Sequence, residues 1–388
     1  MTFPNAMRAE VLSLPELIET QIPVIDERIR SQFTKNELLL IKQIYLTGCG
    51  DSYFAGNGTR FFFNKICQLP TFGFNAMDTG RYLLFDTNPS TDNFPLVMAT
   101  SVSGRVTRTV EAMEMAKRIG ALTVAITGHP DAPLAQASKR IIDCTIPSLP
   151  NPGKVSIPGV RSYRMTLIVH ILFALYLAEV RGNLTTRESE HWRSLLRKTA
   201  DDIDQSIRAN EALVNEVVDE LREEKYFVFV GDGPHRSTAD FSAAKVIEAA
   251  GLIAYGQDTE EWAHIQYYEQ VLPDVPTFVF CSGHRSHDRV MDLLPSMKGI
   301  GRKTIGILSE KCGETHKGFD RLLVMKGSTP EYFTPMVYPV LPELLSALMA
   351  EKLGVPSFRA DKPYYQTAGN LRIRDTQPIS ESELTDLL

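Results

Sequence analysis

Short apolar runs alternate with amphipathic stretches along most of the chain. Residues 7–33 place Leu14, Leu17, Ile18, Ile22 and Ile25 at mostly helical spacing, with Pro15 tolerable near a helix start, and predict an amino-terminal helical arm. Residues 43–47 then read as a short buried strand, followed by the turn Gly48-Cys49-Gly50-Asp51-Ser52 and an apolar helix over 53–67. Further strands are predicted at 71–76, 96–100, 122–127 and 141–146, with helices between them. This alternation indicates a parallel, doubly wound sheet.

The pattern recurs in the second half. Residues 225–230 followed by Gly231-Asp232-Gly233 echo the first strand and its turn, and 277–281 followed by Ser282-Gly283-His284 echo the strand that enters Ser101-Val102-Ser103-Gly104. Gly50 and Gly233 stand 183 positions apart, while Ser101 and Ser282, like Thr123 and Thr304, stand 181 apart. So steady a register predicts an internal duplication. The expected fold class is α/β, with two repeated units, each a doubly wound parallel sheet flanked by helices in a three-layer αβα, flavodoxin-like arrangement. The expected organisation is an arm over 1–33, a first unit over 34–187, a charged helical bridge over 188–223, a second unit over 224–361 and a tail over 362–388. That tail lacks strong periodicity and is expected to cross the surface or close over a site.

Composition narrows the function. With 388 residues, 43% hydrophobic and 23% charged, the chain can bury large cores, and its length suits two domains. A formal net charge of −6 and the lack of a long Lys/Arg block argue against a nucleic-acid partner, so an anionic ligand needs a local pocket. Five cysteines, Cys49, Cys67, Cys144, Cys281 and Cys312, form no CxxC pair and support neither a zinc ribbon nor a disulfide framework. Reduced thiols and a cytoplasmic location are the expectation. Residues 1–14 lack the continuous apolar core of a secretory signal. The apolar run 165–180 holds His170 and is flanked by Arg164, and it suits a buried helix better than a membrane span of about 20 apolar residues.

The strongest chemical signal is the run Ser101-Val102-Ser103-Gly104-Arg105-Val106-Thr107, between an apolar strand and a helical pattern that starts near Val110. Backbone N–H groups and the dipole at a helix start favour an anion, and two serines add short donors to phosphate oxygens. The bland alternative is an ordinary helix cap. Gly48-Cys49-Gly50 fails as a dinucleotide fingerprint because Tyr53 replaces the third glycine, leaving Ser52 as either a cap or a ligand contact. Glu248 lies near the end of an apolar helical run closed by Gly251, where a carboxylate can serve in proton transfer, unless it merely pairs with Lys245 on a solvated face. His264 follows Glu260-Glu261-Trp262-Ala263 and titrates near neutrality, as an acid–base group or a structural histidine. His284 and His287 are spaced like a metal pair, but with no third ligand evident they read as a polar loop or helix start.

Together these motifs resemble the sugar isomerase (SIS) family over most of residues 7–365, in particular the isomerase half of glucosamine-6-phosphate synthase and related phosphosugar deglycases. The likeness rests on the arm around Met7-Arg8-Ala9-Glu10, the Gly48-Cys49-Gly50-Asp51-Ser52 turn, the serine loop, Gly159-Val160-Arg161-Ser162 before an apolar helix, and Glu248 with His264 at the family's separation. It implies that Ser52, Ser101, Ser103 and the backbone from Val102 through Gly104 to Val106 hold a sugar phosphate, with Val160 and Ser162 lining the pocket. It implies further that Glu248 moves a proton between C1 and C2 of an opened sugar. His264, supplied in relatives by the neighbouring subunit, would assist ring opening or protonate a leaving group. A homodimer, and no metal or redox cofactor, follow from the same resemblance.

Departures point to a subclass. The amidotransferase half has no counterpart, which reads against glutamine hydrolysis by this chain. The synthase's Schiff-base lysine is missing, since Asp361-Lys362-Pro363 is followed by Tyr364-Tyr365-Gln366. Arg105 replaces a usual acidic residue, Val106 a usual threonine, and His264 is followed by Ile265-Gln266 instead of Gly-Pro. The expected function is a deglycase or deaminase of an amino-substituted sugar phosphate, against the alternatives of an aldose–ketose phosphate isomerase and a non-catalytic sugar-phosphate sensor.

Overall fold

The computed structural model describes residues 5–87, 94–150, 155–269, 274–370, 374 and 376–386. The chain divides into two compact units. The first comprises Ile18–Ser148, Ser162–Ser194 and Tyr364–Leu388, and the second Met1–Leu17, Leu149–Arg161 and Leu195–Pro363. The chain passes from one unit to the other five times, four of them within the helices Leu14–Gln32, Arg161–Arg181, Thr186–Leu221 and Pro363–Asn370.

In the first unit the strands are β1 (Gln43–Gly48), β2 (Thr71–Asn75), β3 (Pro95–Thr100), β4 (Leu122–Thr127) and β5 (Arg140–Asp143), all parallel in the order β2-β1-β3-β4-β5. Every residue of β3 and β4 is buried, which is why both read as continuous apolar runs: helices cover a parallel sheet on both faces. The helix Asp51–Cys67 follows β1, and Thr107–Arg118 follows β3. The second unit has β6 (Tyr226–Val230), β7 (Ile253–Gln257), β8 (Pro276–Cys281), β9 (Lys303–Ser309) and β10 (Arg321–Met325), also parallel, in the order β10-β9-β8-β6-β7. Read from its other end this is the order of the first sheet.

The duplication reaches backbone detail. Gly50 and Gly233, ahead of the helices after β1 and β6, have φ/ψ of 56/−127 and 56/−125, a region closed to other residues. A Cβ on Gly48 would meet that of Ser52 at 2.6 Å, and one on Gly231 would meet that of His235 at 2.8 Å. Ser52 and His235 are therefore equivalent positions.

Strand expectations fall on β1–β6, β8 and β9, whereas β7 and β10 escape the sequence pattern. Both are edge strands whose burial is partial, and β7 carries a glycine and a glutamine. The strand expected over 141–146 stops at Asp143, whose side chain accepts the Thr145 N–H at 2.8 Å and turns the chain. The predicted arm forms as Ala6–Leu12 and Leu14–Gln32. Among the described residues two helices are long and apolar enough to cross a membrane, Arg161–Arg181 and Glu331–Leu353, and 83% and 89% of their apolar windows are buried inside the protein.

Candidate active site

In the first unit the serine loop leaves the carboxyl end of β3. The Ser101 N–H donates to Ile126 O at 3.0 Å and the Gly104 N–H to Ser101 O at 2.9 Å, which folds the loop into a tight turn. The Ser101 and Ser103 hydroxyls then lie 3.5 Å apart. Gly104 has φ of 65°, and a Cβ there would sit 2.5 Å from Ala132 Cβ and 2.9 Å from Thr127 Oγ1. Neither serine caps the following helix: its N-cap is Val106, with no side-chain cap, and Ser103 Oγ instead accepts the Arg105 N–H at 3.4 Å. Ser52 is not a cap either, because Gly50 holds that place and Ser52 lies in the first helical turn. Ser52, Ser101, Val102, Ser103, Gly104 and Val106 thus share one sheet edge, as ligand-binding residues of open α/β sheets do. Ser162 stands in the same unit, half-buried in the first turn of Arg161–Arg181.

The helix start is not the open donor set that its sequence suggests. The Thr107 N–H donates to Arg374 O at 3.1 Å, and its hydroxyl to Thr376 O at 2.7 Å. Arg108 reaches Thr376 Oγ1 at 3.0 Å, and the Ile379 N–H donates to Glu111 Oε1 at 2.7 Å. The carboxyl-terminal segment therefore runs over the first turn of Thr107–Arg118 and takes up one of its donors. An anion at the serine loop has the serine hydroxyls and the loop amides left to bind.

In the second unit Glu248 lies on Pro234–Ala250, which ends at Gly251 in the left-handed region as its sequence predicts. Its carboxylate is 2.5 Å from Lys245 Nζ, yet the face is not solvated: the Lys245 side chain has no exposure, and its ammonium lies 4.7 Å from the Phe241 ring centroid. Lys245 also faces Glu10, whose carboxylate accepts the N–H groups of Val160 and Arg161. Burial raises the Glu10 carboxyl above its ordinary range, and those N–H groups with the charges of Arg161 and Lys245 offset it only in part. The unit so links two expected site residues, Val160 and Glu248, through Glu10 and Lys245. From the sequence alone Lys245 reads only as a surface partner of Glu248. Glu10 left a signal, a carboxylate on the buried stripe Met7, Leu14 and Leu17.

His264 is the last residue of Thr259–His264 and is exposed. Exposed Ile265, Tyr267 and Tyr268 follow it, with relative exposures of 59%, 40% and 73%. A cavity of about 370 Å³ in the second unit, walled by Met7, Ile157, Ala249, Ala347 and Val355, contains none of the expected site residues.

Comparison with known proteins bears on the same segments. The SIS domain profile matches residues 37–176. Glutamine–fructose-6-phosphate aminotransferase (isomerizing) of Thermococcus kodakarensis is 26% identical over 349 residues, covering 90% of this chain and 55% of that protein. The chain spans about half the length of the curated relatives it matches. Among solved structures, tagatose-6-phosphate ketose/aldose isomerase from Escherichia coli superposes with a TM-score of 0.72 at 17% identity, covering 92% of this chain and 96% of the other. Glucosamine-6-phosphate deaminase from Thermotoga maritima gives 0.65 at 20%, covering 92% and 98%.

Proposed function

Residues 37–176 are a SIS domain, and from that premise we propose that the chain is an enzyme acting on an amino-substituted sugar phosphate, as a deglycase or deaminase. The observation that carries this reading is the environment of Glu248: a carboxylate held by a fully buried lysine and backed by a second carboxylate, Glu10, is arranged for proton transfer. In the first unit Ser52, Ser101, Ser103 and the 102–106 backbone bind the phosphate, with Ser162 as a further pocket residue, while Val160 stands in the second unit beside Glu10.

A ketosamine phosphate carries its amine on C1 and a carbonyl at C2. Glu248 removes a C1 proton, the enaminol takes up a proton at C2, and the resulting C1 imine is hydrolysed by one water to an aldose phosphate and the free amine. His264 assists ring opening or protonates the departing amine. The substrate's own nitrogen makes a protein Schiff base unnecessary, in keeping with the lack of any lysine in residues 363–388. The exposed apolar side chains after His264 support its delivery to the active site of a second subunit in a homodimer. The tagatose-6-phosphate isomerase likeness favours one second reading, aldose–ketose isomerisation by the same two residues.

The test is incubation with a panel of fructosamine and aminosugar 6-phosphates and the matching aldose and ketose phosphates, with amine release and sugar interconversion measured separately. Amine release that falls at least a hundredfold in Glu248→Gln is the expected outcome. Interconversion without amine release would establish the isomerase reading instead, and binding without either product a sensor.

A further inference from the structure

The carboxyl edge of the β6–β10 sheet carries side chains for which the proposed reaction has no use. Cys281 ends β8 and Cys312 lies in the 3-10 segment Glu310–Gly318 beyond β9; their sulfurs are 3.7 Å apart, unbonded and buried. His287, first residue of the helix His287–Gly299, is half-buried, and a ring nitrogen and the two sulfurs all lie within 4.8 Å of one another. His235, at the position equivalent to Ser52, is buried on the same edge against Phe280 and Tyr338, and neither of its ring nitrogens has a hydrogen-bond partner.

We propose that Cys281, Cys312 and His287 bind a thiophilic divalent cation of the zinc type at the edge where the first unit carries its serine loop. Two thiolates at about 2.3 Å from a tetrahedral ion stand about 3.8 Å apart, so the sulfurs are already at the required span. The imidazole closes the third corner by moving roughly an ångström, toward a nitrogen–sulfur span of about 3.6 Å. Two sulfurs and a nitrogen select zinc, cobalt or cadmium over magnesium or calcium. Binding replaces the two S–H bonds by two metal–sulfur bonds and releases two protons to solvent. The ion would tie together the ends of β8 and β9 and the start of His287–Gly299. The fold supplies what the His284/His287 spacing lacked in sequence, and the ligand is His287.

The experiment is titration of the chelator-treated, reduced full chain with Co²⁺ under argon, reading the thiolate-to-cobalt absorption, followed by competition with Zn²⁺. One equivalent is expected to develop the band and Zn²⁺ to abolish it. Zn²⁺ at a hundredfold excess over its dissociation constant is expected to raise the thermal midpoint by about 3 °C or more. Cys312→Ser should lose the band and His287→Ala should weaken cobalt binding at least tenfold, while Cys49→Ser, which changes an exposed thiol elsewhere, should match the parent. His287→Ala alters a half-buried side chain and keeps the test valid if the cysteine variants do not fold. A parent without a thiolate band, a band that survives in Cys312→Ser, or an unchanged affinity in His287→Ala would each overturn the proposal. So would a reduced protein that takes up no cobalt yet forms a Cys281–Cys312 disulfide in oxidised glutathione, which would make the pair a redox couple.

Discussion

Lys245→Met is the sharpest probe of the charge arrangement around Glu248. Methionine keeps most of the volume beside Phe241 and removes only the ammonium. Breaking a wholly buried ion pair costs about 3–5 kcal/mol because the surviving charge is left uncompensated. The Glu248 side chain is 29% exposed and recovers part of its hydration, so we expect a loss of about 1–3 kcal/mol near pH 7. Glu10 gives the loss a direction in pH. Its carboxyl is already raised by burial, and Lys245 is one of the charges that restrain the rise. Without the lysine the folded state binds the Glu10 proton more tightly than before. A carboxyl whose folded value exceeds its unfolded value makes the folded state lose stability as pH rises from the unfolded value through the folded one. The variant's deficit should therefore be larger at pH 8 than at pH 4.5. Urea unfolding of both proteins across that range measures it, with m-values compared to exclude a change in the unfolded state. A deficit that is equal at the two pH values, or larger in acid, would refute the assigned coupling between Lys245 and Glu10.

Three further outcomes follow from the same geometry. Glu10→Gln keeps the shape and lacks the titration, so its stability relative to the parent should increase from pH 4 to pH 7; a flat or falling difference would mean that Glu10 is not the titrating group. Gly104→Ala requires a left-handed alanine and a shift of Ala132, and should cost about 2–4 kcal/mol in thermal or urea unfolding, with weaker binding of a sugar phosphate but not of its unphosphorylated sugar. Thr107→Val removes the hydroxyl bond to Thr376 O, worth about 0.5–1.5 kcal/mol, and should speed proteolytic cleavage near residues 374–379 roughly two- to tenfold; unchanged cleavage would show that this contact does not hold the tail.

Much of the architecture was legible because parallel strands buried on both faces leave continuous apolar runs, and β3, β4 and β8 read in that way. The edge strands β7 and β10 were not legible, since half-exposed positions carry no such run. The serine loop could be read because its chemistry is contiguous in sequence. The tail across Thr107 could not, because most of its contacts are made by backbone groups, the carbonyls of Arg374 and Thr376 and the N–H of Ile379, which any sequence could supply. Glu10 and Lys245 are intermediate: each residue is conspicuous on an apolar helical stripe, but only folding brings residues 10, 160 and 245 together.

The proposed function divides the work between the two halves of the chain. Their strands keep one order and their first turns one backbone conformation, so the edge available for chemistry is the same in both. What differs is the side chains placed on it. Ser52 and the paired hydroxyls of Ser101 and Ser103 occupy the first edge, and His235, Cys281, His287 and Cys312 the second. Hydroxyls on a loop with backbone donors suit an oxyanion, whereas two thiols beside an imidazole suit a soft cation. The second edge keeps one serine, Ser282, but has His284 where the first has Ser103, and its loop turns at Gly283 instead of at the position of Gly104. In the proposed reaction that unit contributes Glu248, held by Lys245, from the helix Pro234–Ala250 that begins beside that edge. The double replacement Cys281→Ser, Cys312→Ser should accordingly abolish cobalt binding without creating a second phosphate site, because the loop after β8 still lacks the paired serines. Isothermal titration with the sugar phosphate substrate would detect one site per chain; two would refute the division of labour.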